Sequence, residues 1–169
     1  MTNDQDDNNR SDYSTLVRIP TRWNDYDMLG HVNNVQYYRY FEIVVLRLLA
    51  NAGLDWFRDP VIPFAVENLC RFRRPLGVTD SVEAGIRVAA IGRSSATYEI
   101  ALFMPGNEQP SAYGHFVHVF VDRASERPAE IPQKIRSAFE REQEKAESER
   151  FDAIELSTVF PSLSDGPSS

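Results

Sequence analysis

The sequence predicts an α+β domain in which one long helix packs against a single antiparallel sheet. Between Val35 and Ala52, apolar residues recur at spacings of three and four, which is typical of a buried helix face. Several extended segments follow, and their short connections favour antiparallel neighbours. These segments are Val61–Pro75, Asp80–Gly92, Ser94–Met104 and Ser111–Arg123. With one strand before the helix, the sheet has about five strands.

The first predicted strand lies within Tyr13–Arg22. Its apolar residues stand just before Pro20, which has no N–H to donate. The strand is therefore expected to lie at an edge of the sheet or to end at Pro20. A turn-rich stretch then leads into the helix, with Gly30 at a point where backbone freedom is needed.

The predicted helix has about five turns. Asn33 or Asn34 can cap its start and Gly53 can end it. Glu42 points along the apolar face, and a buried carboxylate needs a partner, so we expect it to pair with an arginine or backbone donors rather than to act in catalysis. The opposite face is also rather apolar, which indicates a mostly buried helix. The apolar face comprises Tyr38, Phe41, Val45, Leu48, Leu49 and Ala52.

The chain divides into a body and two ends. Residues 1–12 are polar and acidic and cannot offset the entropy of ordering, so they predict a disordered tail. Residues 13–149 form the domain, which ends in a charged surface helix, Ile131–Glu149. Residues 150–169 carry enough apolar side chains to predict a partly ordered extension.

The net charge of −7 belongs to the ends of the chain. Residues 1–12 contribute −3 and residues 140–169 contribute −5, which leaves +1 for the body between them. An acidic protein with a nearly neutral body is a poor nucleic-acid binder, so we expect no nucleic-acid partner.

The sequence indicates a cytoplasmic protein without a membrane anchor. Cys70 is the single cysteine, so no internal disulfide can form. The N-terminal residues lack a basic start and an apolar run, and no stretch reaches the roughly 20 apolar residues of a membrane span. One cysteine and three histidines do not make a structural zinc site, although a carboxylate-rich site stays open.

Two aspartates, Asp25 and Asp27, stand just before the buried helix. A helix N-terminus offers unpaired N–H groups and partial positive charge, so it can stabilise an oxyanion beside a catalytic carboxylate. The alternative is structural, with the aspartates capping the helix and Asn33 and Asn34 closing the turn. The residue pattern alone leaves both interpretations open.

Three motifs give the sequence a family resemblance. Residues 25–34 read Asp-x-Asp-x-x-Gly-His-Val-Asn-Asn, residues 37–42 read Tyr-x-x-Tyr-Phe-Glu, and residues 71–76 read Arg-Phe-Arg-Arg-Pro-Leu. Together they resemble the hot-dog-fold acyl-CoA thioesterases of the 4-hydroxybenzoyl-CoA thioesterase type, over about residues 13–140. The resemblance implies a long central helix wrapped by the sheet.

The resemblance also implies roles for the residues around the helix start. It makes Asp27 the catalytic carboxylate, which either activates water or attacks the thioester directly. It makes the backbone N–H at Asn34 the oxyanion donor, with Asn33 beside it on the substrate carbonyl. His31 either shares the acid–base work or orients the loop, since its ring titrates near neutral pH.

Further residues are candidates for substrate binding. Arg71, Arg73 and Arg74 can meet the phosphates of coenzyme A, or they can form surface salt bridges. In extended geometry Arg71 and Arg73 share a face and Arg74 points the other way. Glu67 and Asn68 precede them and can line the site from a neighbouring subunit, because sites of this family lie between protomers.

The resulting expectation is a homodimeric or homotetrameric acyl-CoA thioesterase that uses no cofactor and no metal. An acyl carrier protein thioester is a possible substrate as well. Two rivals share the fold, a non-catalytic acyl-CoA sensor and a hydratase or dehydratase in which His31 would move the proton.

Overall fold

The structure is a computed structural model that describes residues 8–159, with side chains described as far as residue 146. One five-stranded antiparallel sheet has the order β1-β3-β4-β5-β2. Its strands are β1 (Thr15–Pro20), β2 (Val61–Phe72), β3 (Ser81–Ile91), β4 (Ser95–Phe103) and β5 (Ala112–Asp122). Helix α1 (Asn34–Asn51) packs on one face, and α2 (Gln133–Val159) follows β5. The predicted α+β class is confirmed.

Helix α1 begins and ends close to the predicted positions. The side chain of Asn33 accepts a hydrogen bond from the Val35 N–H at 3.0 Å and caps the helix. Gly53 follows the end with φ +86°, a left-handed conformation that favours glycine. Seven side chains of α1 are buried: Tyr37, Tyr40, Phe41, Val44, Val45, Leu48 and Leu49.

The prediction that Glu42 is buried and paired is wrong, because its side chain is exposed. With about 3.6 residues per turn, Glu42 is rotated away from its fully buried neighbour Phe41. It falls with Tyr38 and Leu46, both partly exposed, on the side of α1 that faces away from the sheet. The apolar spacing placed the buried face a fraction of a turn from its true position.

The two faces of the sheet are covered by different parts of the chain. The α1 face carries Tyr98, Ile100 and Leu102 of β4, all fully buried in the main core. On the opposite face Tyr13 packs against Phe103, and Gly85 leaves room for its ring, since a Cβ there would lie 2.7 Å from Cγ of Tyr13.

The structured chain begins within the segment predicted to be a disordered tail. The Arg10 guanidinium pairs with Glu83 of β3, and the Arg10 N–H donates to the carbonyl of Glu108 at 2.9 Å. These contacts, with the Tyr13 ring, attach residues 8–13 to the outer face of the sheet. Residues 1–7 lie outside the described residues.

Helix α2 is longer than predicted and is only partly a surface helix. Ile135 and Phe139 in its first turns are fully buried, and the Phe139 ring packs edge-on against Tyr98 and Phe120. The helix continues through residues 150–159, which we predicted as a partly ordered extension; residues 160–169 lie outside the described part. Of the two helices described, neither is long and apolar enough to cross a membrane.

The two histidines of β5 lie on opposite faces of the sheet. His118 is paired with Ala96 on the α1 face, whereas His115 is paired with Glu99 on the outer face. His118 is buried, and burial lowers the pKa of its imidazole to about 4.

Candidate active site

A tight turn before α1 holds the side chain of Asp27. The Asp27 N–H donates to the carbonyl of His31 at 2.8 Å, and Gly30 turns the chain with φ +74°. Oδ1 of Asp27 then accepts hydrogen bonds from the N–H groups of Leu29 at 2.8 Å and His31 at 3.2 Å. Among the residues that the structure describes, Oδ2 has no hydrogen-bond partner. One carboxylate oxygen is therefore anchored and the other is available to a substrate.

The first turn of α1 leaves a single N–H group for a ligand. The Asn33 N–H donates to the carbonyl of Asp25 at 2.7 Å, the Val35 N–H to the Asn33 side chain, and the Gln36 N–H to the Asn33 carbonyl. Over the described part of the chain, the Asn34 N–H has no hydrogen-bond acceptor. Because the helix terminus also carries partial positive charge, this N–H is suited to an oxyanion.

Asp25 has a structural role that sequence reasoning missed. Its buried Oδ2 accepts hydrogen bonds from the Tyr40 hydroxyl and the Arg22 N–H, both at 2.8 Å. Burial, and to a smaller extent the hydrogen bond to Asp25, raises the pKa of the Tyr40 hydroxyl far above its ordinary value. Asp25 thus ties the turn to the second turn of α1. Neither aspartate caps the helix, because Asn33 does so.

A cationic groove of about 380 Å³ brings five predicted site residues together: Asp27, His31, Asn34, Arg73 and Arg74. The two arginines lie just beyond β2. The backbone N–H groups of Arg73 and Arg74 both donate to the carbonyl of Ser111, at 2.9 and 3.0 Å. The Arg73 guanidinium lies 4.8 Å from the centre of the Tyr113 ring. We call this space the arginine groove.

A second groove has a volume of about 640 Å³. Asp27 and Asn33 border it, and its other lining residues are Trp23, Tyr26, Met28 and Val78. We call it the apolar groove. No sequence pattern singles out these residues, because Trp23, Tyr26 and Met28 stand in a turn-rich stretch without periodicity and Val78 stands in a separate segment. Trp23, Met28 and Val78 are distinguished only by their exposure in the groove that Asp27 borders.

The remaining predicted substrate-binding residues do not line either groove of this chain. Arg71 is paired with Tyr113 on the outer face of the sheet, and Glu67 contacts His115 on that same face. Asn68 lies on the α1 face, where its side-chain oxygen is buried without a partner among the described residues. Within that part of the chain, no three His, Cys, Asp or Glu residues are grouped so as to hold a metal ion.

One long helix packed on a five-stranded antiparallel sheet is the architecture of a hot-dog fold. Comparison of families agrees: the chain belongs to the thioesterase-like superfamily, whose family profile matches residues 21–139. The predicted resemblance and the enzyme class, a thioester hydrolase, are confirmed.

Solved structures show the same fold. The PA5185 protein of Pseudomonas aeruginosa is 43% identical, with a TM-score of 0.77, over 80% of this chain and 95% of that chain. A thioesterase from Thermus thermophilus, complexed with coenzyme A and zinc, is 28% identical, with a TM-score of 0.66, over 78% and 96%. Slr0204, a 1,4-dihydroxy-2-naphthoyl-CoA thioesterase from Synechocystis, is 15% identical, with a TM-score of 0.67, over 73% and 93%. None of the curated proteins compared with the chain matches it.

Proposed function

We propose that the protein hydrolyses acyl-CoA thioesters and that Asp27 is its catalytic carboxylate. The observation that carries this proposal is the position of Asp27, whose anchored side chain borders both grooves beside the start of α1. The coenzyme A bound by the T. thermophilus thioesterase supports the choice of thiol carrier.

The substrate carbonyl oxygen accepts a hydrogen bond from the Asn34 N–H. Negative charge grows on that oxygen as the carbonyl carbon becomes tetrahedral, and a fixed N–H at a helix N-terminus stabilises it. The N–H of Asn33 is already used by Asp25, so we assign Asn33 to capping and to bordering the apolar groove rather than to the oxyanion.

Asp27 acts through Oδ2 in either of two ways. As a general base, Oδ2 takes a proton from water while the water oxygen bonds to the carbonyl carbon; the C–S bond then breaks and the proton passes to the departing sulfur. As a nucleophile, Oδ2 bonds to the carbonyl carbon, the thiolate leaves, and water hydrolyses the resulting anhydride. Both routes give a free acid and the CoA thiol.

The phosphates of coenzyme A bind along the arginine groove, in reach of Arg73 and Arg74. Arg71, on the outer face of the sheet, is assigned to phosphate binding only through a neighbouring subunit. Glu67 and Asn68 are assigned to lining the site of a neighbouring subunit. His31 borders the groove. Its carbonyl accepts a hydrogen bond from the Asp27 N–H and its own N–H donates to Oδ1 of Asp27, which favours a positioning role.

The same protein is proposed to be a homodimer or homotetramer built on β2. This strand is an edge of the sheet and spans 12 residues, and within the described part of the chain no strand pairs with its outer backbone groups. It also exposes apolar side chains that a second copy would cover, namely Phe64, Val66, Leu69 and Phe72.

Thiol release from a panel of short, medium, long and aromatic acyl-CoAs tests the proposed function. We expect release with at least one member and near loss of release in Asp27→Asn. Binding without release for every member would favour a sensor. Faster release from acyl carrier protein thioesters than from any acyl-CoA would make acyl carrier protein, not coenzyme A, the thiol carrier. Release at the full rate in Asp27→Asn would overturn the assignment of Asp27 as the catalytic carboxylate.

A further inference from the structure

The apolar groove presents large apolar side chains that nothing in the described chain covers. Trp23 is 90% exposed, Val78 is 75% exposed, and the Met28 side chain, next to Asp27 in the sequence, is fully exposed. Such a concentration of uncovered apolar surface marks a place that a ligand or partner covers.

The groove is held in shape by polar contacts beneath these side chains. Tyr26 lies in the floor, and its hydroxyl donates to the carbonyl of Thr79 at 2.7 Å and accepts from the Thr79 N–H at 3.1 Å. These bonds join the turn that carries Trp23 and Met28 to the segment that carries Val78. The two walls are therefore fixed relative to each other before any ligand enters.

Asp27 and the start of α1 form the boundary between the two grooves. Asp27 borders both, while Asn33 borders the apolar groove and the next residue, Asn34, borders the arginine groove. A thioester whose carbonyl lies at Asp27 can extend one part of the molecule into each groove.

The charges of the grooves decide which part goes where. The arginine groove contains two guanidinium groups, from Arg73 and Arg74, whereas the residues lining the apolar groove include no lysine or arginine. Coenzyme A carries its negative charges on phosphates, and a simple acyl group has none. The phosphates therefore match the arginine groove.

We propose that the apolar groove, lined by Trp23, Tyr26, Met28 and Val78, binds the acyl group of the substrate and selects for uncharged, apolar acyl chains. This inference rests on the proposed function, since it takes the thioester to lie at Asp27. Acyl groups that end in a carboxylate are rejected, because their charge would enter a groove that offers Asp27 and no cation.

Chain length should raise affinity because each methylene buried against these side chains strengthens binding about fourfold. Calorimetry with two thioethers that the enzyme cannot hydrolyse, S-ethyl-CoA and S-octyl-CoA, measures this effect without hydrolysis. The octyl compound should bind the wild type at least about tenfold more tightly than the ethyl compound. Trp23→Ala and Met28→Ser should each remove most of that difference and leave S-ethyl-CoA binding within about twofold.

The matched control is Phe57→Ala, which removes an apolar side chain that is 92% exposed outside both grooves. It should keep the full difference between the two thioethers. Equal binding of both compounds by the wild type would overturn the proposal. So would equal loss of both in Trp23→Ala and Met28→Ser, or a change of oligomeric state in these variants, which would make the groove a subunit interface.

The result separates this inference from the proposed function. Length-dependent binding without thiol release would keep the acyl groove and reject the thioesterase. Hydrolysis with no dependence on Trp23 or Met28 for long acyl chains would keep the thioesterase and reject the groove.

Discussion

Two carboxylates separated by one residue have opposite surroundings in this protein. Asp25 is buried and bound by the Tyr40 hydroxyl, whereas Asp27 borders two open grooves and is held by two backbone N–H groups. Because the carbonyl of Asp25 also accepts the Asn33 N–H, Asp25 and Tyr40 fix the distance between the turn and the helix start. Neither Asp25 nor Tyr40 lines either groove, so we propose that they position Asp27 rather than touch the substrate.

Tyr40→Phe tests this positioning role. Removing the hydroxyl leaves the buried Asp25 oxygen with one donor fewer, so the free energy of unfolding should fall by about 1–3 kcal/mol. If the bond also positions Asp27, kcat should fall several-fold with KM nearly unchanged. Tyr98→Phe is the control, since the buried Tyr98 hydroxyl has no partner in the described residues and its loss should not destabilise the protein. An unchanged kcat in a destabilised Tyr40→Phe protein would show a purely structural role.

His118 should make stability depend on pH. Its folded pKa of about 4 lies below the ordinary value of 6.5, so the unfolded chain binds the proton more readily. Stability is therefore complete above pH 6.5 and declines as the pH falls toward 4, by up to roughly 3 kcal/mol. Urea unfolding at pH 7 and pH 5 should show a smaller pH difference in His118→Leu than in wild type, whereas His115→Asn, on the outer face, should retain it. Equal differences in all three proteins would contradict this account.

At the scale of elements, periodicity predicted where helices and strands begin and end better than it predicted which side chains they bury. The spacing of α1 and the alternation of β3 gave bounds within a few residues of those observed. The rotation of α1 could not be predicted as well, because apolar residues on more than one side leave several faces able to meet the sheet. For α2, the many charged residues gave no sign that Ile135 and Phe139 are buried, because that burial depends on tertiary packing in the core that includes Tyr98.

The segment after β2 supplies the cations of the site. Arg74→Ala should weaken kcat/KM for an acyl-CoA at least about tenfold, because a charge-assisted contact to phosphate is lost. The same acyl group on N-acetylcysteamine, which lacks the nucleotide, should lose little. Arg58→Ala, an exposed arginine in the loop before β2, serves as the control. Equal losses with both thioesters would argue against a phosphate contact, and Arg73→Ala repeats the test at the neighbouring position.

At the scale of the whole molecule, the net charge does not indicate the charge of the grooves around Asp27. The chain carries −7, yet the arginine groove has two guanidinium groups close to Asp27. Glu67, Asn68 and Arg71 illustrate the limit of one sequence, since they lie outside both grooves of their own chain. Any part that they take in the site depends on a second copy, and no pattern within one chain specifies that contact.

The edge strand β2 offers a test of assembly. Val66 stands at a bulge in this strand and is 58% exposed, so Val66→Lys would place a charge in an interface built on β2. Sedimentation should show an oligomer for the wild type and a shift toward monomer for the variant. Phe57→Lys, also exposed but in the preceding loop, should assemble normally. A wild-type monomer, or an unchanged assembly in Val66→Lys, would contradict the proposal.

The central claim is that Asp27 performs the chemistry, and the kinetics of Asp27→Asn test it most directly. A catalytic carboxylate contributes about 10²–10⁴-fold, so kcat should fall by at least about a hundredfold while KM changes little. Glu42→Gln, which alters an exposed carboxylate on α1, should retain the wild-type kcat. A kcat for Asp27→Asn within a few-fold of wild type, or a large loss in Glu42→Gln, would contradict the assignment.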